Sequence, residues 1–231
     1  MSAYDILKAR NVTRLCHFTP LRNLTHVLSS PNGILASDAI RSDEKNVTDT
    51  ARYDGEPECV FTSIQYPNSW YLKKAIQRNP DKIFKDWVVI YIDLKILKQR
   101  KAKFSTSNAS KKLGKYINDN MDEIESVFAD SVPGFALPRP SRMLRCCPTD
   151  GQAEVLIKHN IPIEFITGFA VSDGELAARV YAMVKALDME HIPIYAAPDV
   201  ITQNWSEMVR TGREPSEKEC FWTKEGELCL R

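Results

Sequence analysis

Apolar positions along this chain fall into two patterns: short runs with strand character and stretches in which they recur every three or four residues. A short N-terminal helix is followed by Arg14-Leu15-Cys16-His17-Phe18-Thr19, a strand that ends at Pro20. Leu21, Leu24, Val27 and Leu28 then recur with helical spacing until Pro31-Asn32-Gly33 closes the helix. Residues 37–58 lack periodicity, carry the turn signal Tyr53-Asp54-Gly55-Glu56-Pro57, and predict an exposed loop of unusual length. Cys59 to Ile64 reads as a strand, and Asn68 or Ser69 caps a helix from Trp70 to Arg78. Trp87 to Leu94 is the most apolar run and predicts a central strand. Ser110 to Phe128 predicts an acidic helix, Ala153 to Ile157 and Phe165 to Ser172 strands, Gly174 to Leu187 a helix, and Ile192 to Ala196 a strand. The tail containing Trp205 and Trp222 has no readable period. Strands this irregularly spaced argue for α+β rather than a βαβ series, and no Gly-x-Gly-x-x-Gly or Walker segment is present.

Within this pattern Gln152-Ala153-Glu154-Val155-Leu156-Ile157 stands out. Two polar residues at strand spacing lie immediately before a wholly apolar run, after the turn-like Cys147-Pro148-Thr149-Asp150-Gly151. In a strand Gln152 and Glu154 share a face, which puts a carboxylate at the mouth of a core strand. A solvated strand end has the same pattern, so the pair needs companions before it carries chemistry.

The 231 residues suffice for one domain spanning 1–231, with 43% hydrophobic and 26% charged residues and no apolar run of membrane-spanning length. The N-terminus lacks the pattern of an export signal, so a cytoplasmic protein with no membrane association is expected. Six cysteines show no Cys-x-x-Cys pair and histidines number four, so no metal site is expected; the cysteines read as reduced thiols, with Cys16 and Cys59 in the core. A net charge of +1 conceals an uneven distribution. Lys95 to Lys115 carries many lysines and arginines and no acidic residue, Asp119 to Asp130 is acidic, and Arg139, Arg142 and Arg145 form a second basic group just before Gln152. Each basic run reads equally as a solvated face.

His17-Phe18-Thr19 ending one strand, Thr62-Ser63 within another and Gln152-Ala153-Glu154 opening a third resemble, in that order, the ADP-ribosyltransferases. The match is closer to the DarT toxins, which ADP-ribosylate bases in single-stranded DNA. It rests on Cys16-His17-Phe18-Thr19-Pro20-Leu21-Arg22-Asn23-Leu24, Gly33-Ile34-Leu35, Arg52-Tyr53-Asp54-Gly55, Ser63-Ile64 with Pro67-Asn68, and Gln152 to Ile157 leading to Ile161-Pro162 and Ile166. These blocks span about Leu15 to Ile166 and leave the last third without specific support.

The resemblance implies a split, mainly antiparallel β core flanked by helices, and NAD as co-substrate. Cleaving the bond to nicotinamide develops positive charge on the ribose, which a fixed carboxylate stabilises; Glu154 takes that role. His17 and Thr19, two apart on one strand face, are candidates for the ribose hydroxyls and the nicotinamide amide. Asn23 can reach the same pocket, Ser63 can orient Glu154, and Tyr66, or alternatively Tyr71, can stack on nicotinamide. Arg52 is the candidate for the NAD pyrophosphate or for charge near the acceptor, with Arg41 competing. Gln152 would touch the acceptor base, while Arg139, Arg142 and Arg145, in preference to Lys98–Lys103, would track the phosphates of single-stranded DNA or RNA.

The family further implies a neutralising antitoxin, a macrodomain hydrolase in the usual case, and a setting in phage defence. The same chemistry on messenger RNA or a protein side chain, and a non-catalytic nucleic-acid-binding module, are the alternatives. A metal nuclease built on Asp150, Glu154 and Lys158 is disfavoured because Glu154 and Lys158 are spaced too widely for an acid-x-Lys pattern.

Overall fold

A computed structural model describes residues 1–40, 54–78, 86–223 and 227–231. In chain order its helices are α1 (Ala3–Ala9), α2 (Leu24–Leu28), α3 (Ser69–Arg78), α4 (Gly174–Lys185), α5 (Pro198–Ile201) and α6 (Asn204–Arg210). Its strands are β1 (Arg14–Pro20), β2 (Ile34–Leu35), β3 (Cys59–Ile64), β4 (Trp87–Asp93), β5 (Ala102–Ser105), β6 (Ile117–Asn118), β7 (Glu154–Lys158), β8 (Asn160–Ile161), β9 (Ile166–Val171), β10 (Ile194–Ala196), β11 (Lys218–Trp222) and β12 (Leu228–Leu230).

Ten described strands form one sheet in the order β12-β11-β10-β9-β4-β1-β3-β7-β5-β6, and β2 pairs with β8. Among the described residues β9 and β10 are the one parallel pair, joined through α4; the remaining pairs are antiparallel. The architecture is the α+β, mainly antiparallel one that the sequence predicts.

The apolar run at β4 is central because it is covered on both faces. Val88, Ile90 and Ile92 face a core shared with α1, α2 and α4, whereas Trp87, Val89 and Tyr91 face one shared with α3, α5 and α6. Alternation along β7 sends Val155 and Ile157 into the first core and leaves Glu154 on the opposite face, with Leu156, which packs against Cys59 and Ala109.

The ladder between β1 and β3 positions the site. It holds only at Leu15↔Ile64 and Cys16↔Ser63, after which the strands part. β1 stays paired to β4 as far as Pro20, and β3 to β7 from Cys59 to Ser63. The sheet is therefore split between His17 and Phe61, as the resemblance implies.

Several expectations need correcting. Residues 110–128 do not form one helix: they hold a turn-rich loop, β6, and a 3₁₀ helix at Met121–Phe128. Lys112, Leu113 and Gly114 have φ of 52°, 58° and 81°, which no α-helix tolerates. Asn118 and Asn120 also spend their side chains on the backbone N–H groups of Asn120 and Asp122, at 2.8 and 3.3 Å. The basic stretch hides a strand, β5, and the tail contributes α6, β11 and β12. At Gly33, φ is +63° and an added Cβ would lie 2.2 Å from the Ile161 carbonyl, so β2 can meet β8 only with glycine there.

Candidate active site

The split opens into a cavity of about 330 Å³, within the range of roughly 300–1,000 Å³ that small-molecule sites occupy. Glu154 reaches it from β7. Its neighbours in register are Ser63 on β3 and Ser105 on β5. The carboxylate is 7% exposed, and its Oε2 accepts the Ala109 N–H at 2.6 Å. Burial pushes this carboxyl up to about 8, against the Ala109 bond, and the charges of Asp54 and Asp150 add to the rise. The Asn68 amide favours the charged form; its Nδ2 comes near the carboxylate without completing a hydrogen bond.

Two loops hold the carboxylate and its donor in place. Ser107, fully buried after β5, donates its hydroxyl to Asp150 Oδ2 at 2.6 Å. Asp150 Oδ1 accepts the Gln152 N–H at 2.9 Å, and the Asp150 carbonyl accepts the Ala153 N–H at 2.9 Å. Burial raises the Asp150 carboxyl too, and the Ser107 and Gln152 bonds oppose the rise. This Asx-type turn displaces Gln152 from the strand: β7 begins at Glu154, so the two residues do not share a strand face as the sequence predicts.

Across the split, His17 Nδ1 lies 2.9 Å from the Phe61 carbonyl. A carbonyl only accepts, so Nδ1 carries the proton and Nε2 is left as an acceptor. The imidazole thereby satisfies a β3 carbonyl that the parted ladder would otherwise orphan. Desolvation lowers its pKa and keeps the ring neutral. Thr19, also lining the cavity, accepts a hydrogen bond from Asn23 Nδ2 at 3.0 Å.

Ser63 lines the cavity as well, but its Oγ accepts the Asn68 N–H at 2.9 Å. Asn68 in turn caps α3 by accepting the Tyr71 N–H at 3.0 Å. Ser63 therefore supports Asn68, the residue beside Glu154.

Tyr66 is not at the cavity. It is buried against Trp205, ring centroids 5.3 Å apart, in the core under α6. Tyr71 lines the cavity instead, with Phe18 6.1 Å away. Gln65 turns the chain there with φ of 66°, which sends Tyr66 to the core.

Arg139 is also displaced from its expected role. Its guanidinium bonds the Cys147 and Leu144 carbonyls at 2.7 and 2.8 Å, bracing the loop from within. Arg142 and Arg145 are exposed but do not line the cavity, and Arg145 points toward the Ala9 carbonyl at 3.4 Å. Lys103 is tied to Glu56 and Asp119. Arg52 and Arg41 lie outside the described residues. Sequence reasoning missed Asp54, His26, Asn108 and Ser110, all of which line the cavity. Asp54 alone left a signal, as part of the Tyr53-Asp54-Gly55 turn.

A split antiparallel sheet with a buried glutamate on one lip and a histidine on the other is the arrangement that the resemblance to the ADP-ribosyltransferases implies. The family profile for DarT, described as ssDNA thymidine ADP-ribosyltransferase, matches residues 16–202, and the chain belongs to that family of NAD-dependent transferases.

Solved structures share the fold. Thermus sp. 2.9 DarT in complex with ADP-ribosylated ssDNA is 14% identical, with a TM-score of 0.53 over 77% of this chain and 90% of that one. The same protein with carba-NAD+ is 15% identical, at 0.51 over 76% and 90%. Thermosipho africanus DarTG in complex with ADP-ribose is 16% identical, at 0.51 over 82% of this chain, which spans 51% of the DarTG chain. Comparison with curated proteins gives no match. Among the described residues no helix is long and apolar enough to cross a membrane.

Proposed function

We propose that this protein moves ADP-ribose from NAD onto a base of single-stranded DNA, with Glu154 as the residue that stabilises the transition state. The observation that carries the reading is the Glu154 carboxylate, buried and aimed by the Ala109 N–H into a cavity whose opposite lip is His17. NAD lies in the split, with His17 Nε2 and Thr19 toward its nicotinamide ribose and Tyr71 at the pyridinium ring. The C1′–N bond breaks, nicotinamide leaves with the electron pair, and the ribose carries positive charge facing Glu154. A ring nitrogen of the acceptor base then bonds to C1′ and sheds its proton.

The carboxylate acts only when ionised. The pyridinium charge of NAD brings Glu154 down from its position near 8, so the substrate itself favours the active form. Arg52, or Arg41, is assigned to the pyrophosphate, and Gln152, two residues from Glu154, to the acceptor side. The family description and the Thermus complex bearing ADP-ribosylated ssDNA support DNA as acceptor. The resemblance to DarTG supports a toxin neutralised by an antitoxin protein, a macrodomain hydrolase in our reading.

Labelled NAD offered in parallel to single-stranded DNA, RNA and protein tests this. Label should enter DNA, and Glu154→Ala should lower the rate by about 100- to 1,000-fold, the scale of one lost transition-state donor. More than a tenth of wild-type activity in a folded Glu154→Ala protein would sink the assignment. Label entering RNA or protein alone would move the acceptor.

A further inference from the structure

The loop between β5 and β6 is built against local preference. Lys112 and Leu113 take φ of 52° and 58°, and Gly114 follows at 81°. Glycine or asparagine suits the left-handed region; a leucine there is uncommon and strained. Leu113 is also 75% exposed, so no burial offsets its conformation. The loop is nonetheless hydrogen-bonded along its length: Leu113 N–H to the Ser110 carbonyl at 3.3 Å, Lys115 N–H to Lys112 at 3.4 Å, and Ile117 N–H to Gly114 at 3.0 Å. This succession of turns presents an apolar side chain to water where a polar one would be the more stable choice.

Its position gives that choice a meaning. Ala109, four residues earlier, holds the Glu154 carboxylate, and Asn108 and Ser110 line the cavity. At the other end Gly114 lies against Asp54, another cavity residue; a Cβ there would be 3.0 Å from the Asp54 carbonyl. Leu113 therefore stands between two segments that both reach the cavity. Lys111 is engaged by the Gly134 carbonyl, which leaves Lys112 and Lys115 as the exposed cations on either side of Leu113.

We propose that Leu113 is a wedge: it inserts between the acceptor base and its neighbour in a single strand, while Lys112 and Lys115 hold the flanking phosphates. The inference rests on the reading of the site as a base ADP-ribosyltransferase. Chemistry on a base needs that base out of its stack, and apolar side chains inserted between bases are a general means of unstacking. Two cations spaced about a leucine match a polyanion whose charges flank each base. The acceptor base, once parted from its neighbour, is then free to enter the cavity that Asn108, Ser110 and Glu154 line.

An oligodeoxynucleotide with one thymidine flanked by 2-aminopurine reports this directly, because 2-aminopurine brightens when it is unstacked. Wild-type protein should raise the fluorescence and modify the thymidine. Leu113→Asn suits the left-handed backbone and so preserves the loop; it should abolish the rise and lower acceptor kcat/KM about ten-fold or more. Leu113→Met should restore both. Lys112→Ala and Lys115→Ala should each reduce the slope of log affinity against log salt by about 0.7.

A Leu113→Asn protein that unstacks and modifies the oligonucleotide like wild type overturns the wedge while leaving the transferase reading intact. So does a variant with unchanged DNA behaviour whose sedimentation shifts from dimer to monomer, which would make Leu113 a contact between copies. Wild-type protein that cleaves NAD but modifies no DNA overturns the acceptor reading, and the wedge with it.

Discussion

Replacing Glu154 with glutamine should separate what this residue does for catalysis from what it costs the fold. Its carboxyl sits near 8 in the folded protein against an ordinary 4.5, and burial is the main cause. A carboxyl raised in this way binds its proton more tightly folded than unfolded. Stability is therefore fully present below about 4.5, falls as pH rises toward 8, and is flat above. Integrating between pH 5 and 9 with these two values gives a loss of roughly 4 kcal/mol, at about 1.36 kcal/mol per pH unit. Glutamine keeps the shape and the Ala109 hydrogen bond but has no proton to lose. The difference in Tm between Glu154→Gln and wild type should thus widen by about 8–16 °C from pH 5 to pH 9, since each kcal/mol moves a domain of this size by about 2–4 °C. Paired thermal melts across that range measure it, and groups common to both proteins cancel. A difference that stays flat with pH would refute the claim that burial holds this carboxyl neutral, whatever the variant does to activity.

Other outcomes follow from the same geometry. The proposed mechanism uses the ionised carboxylate, so kcat/KM for NAD should rise about ten-fold per pH unit up to about 8 and then level; a flat profile between pH 6 and 9 would contradict it. His17→Ala removes both the Phe61 bond and the Nε2 acceptor. It should cost kcat/KM about 10- to 100-fold, equivalent to ~1.5–3 kcal/mol, and steady-state assays with varied NAD would show it. Ser107→Ala leaves Oδ2 of the buried Asp150 without the Ser107 hydroxyl. It should cost about 1–3 kcal/mol in urea unfolding and lower kcat, with Ser107→Thr recovering much of both. Gly33→Ala drives a methyl into the Ile161 carbonyl and should destabilise by about 2 kcal/mol or more, read as a lower urea midpoint with an unchanged slope.

How far the sequence reveals this protein depends on whether a residue's role is set locally or across the sheet. The strands through Cys16, Val60, Ile90 and Val155 are legible because burial on both faces leaves continuous apolar runs. Glu154 and His17 are legible as site candidates because their order along the chain, with Ser63 between them, resembles the ADP-ribosyltransferases. The supports of Glu154 carry no such mark. Ala109 contributes only a backbone N–H, and Ser107 and Asp150 meet across 43 positions of sequence. Strand β5 was hidden for a related reason: Ala102-Lys103-Phe104-Ser105 turns Phe104 inward, while Lys103 finds Glu56 and Asp119, partners that lie in other segments. Charge misled in the opposite direction. Arg139 precedes the Gln152–Glu154 segment and reads as a phosphate contact, yet the carbonyls of Leu144 and Cys147 already occupy its guanidinium. A cation's place in sequence says little about its function until the acceptors it already serves are known. Lys112 and Lys115, both exposed beside Leu113, are for that reason the cations we propose for the acceptor.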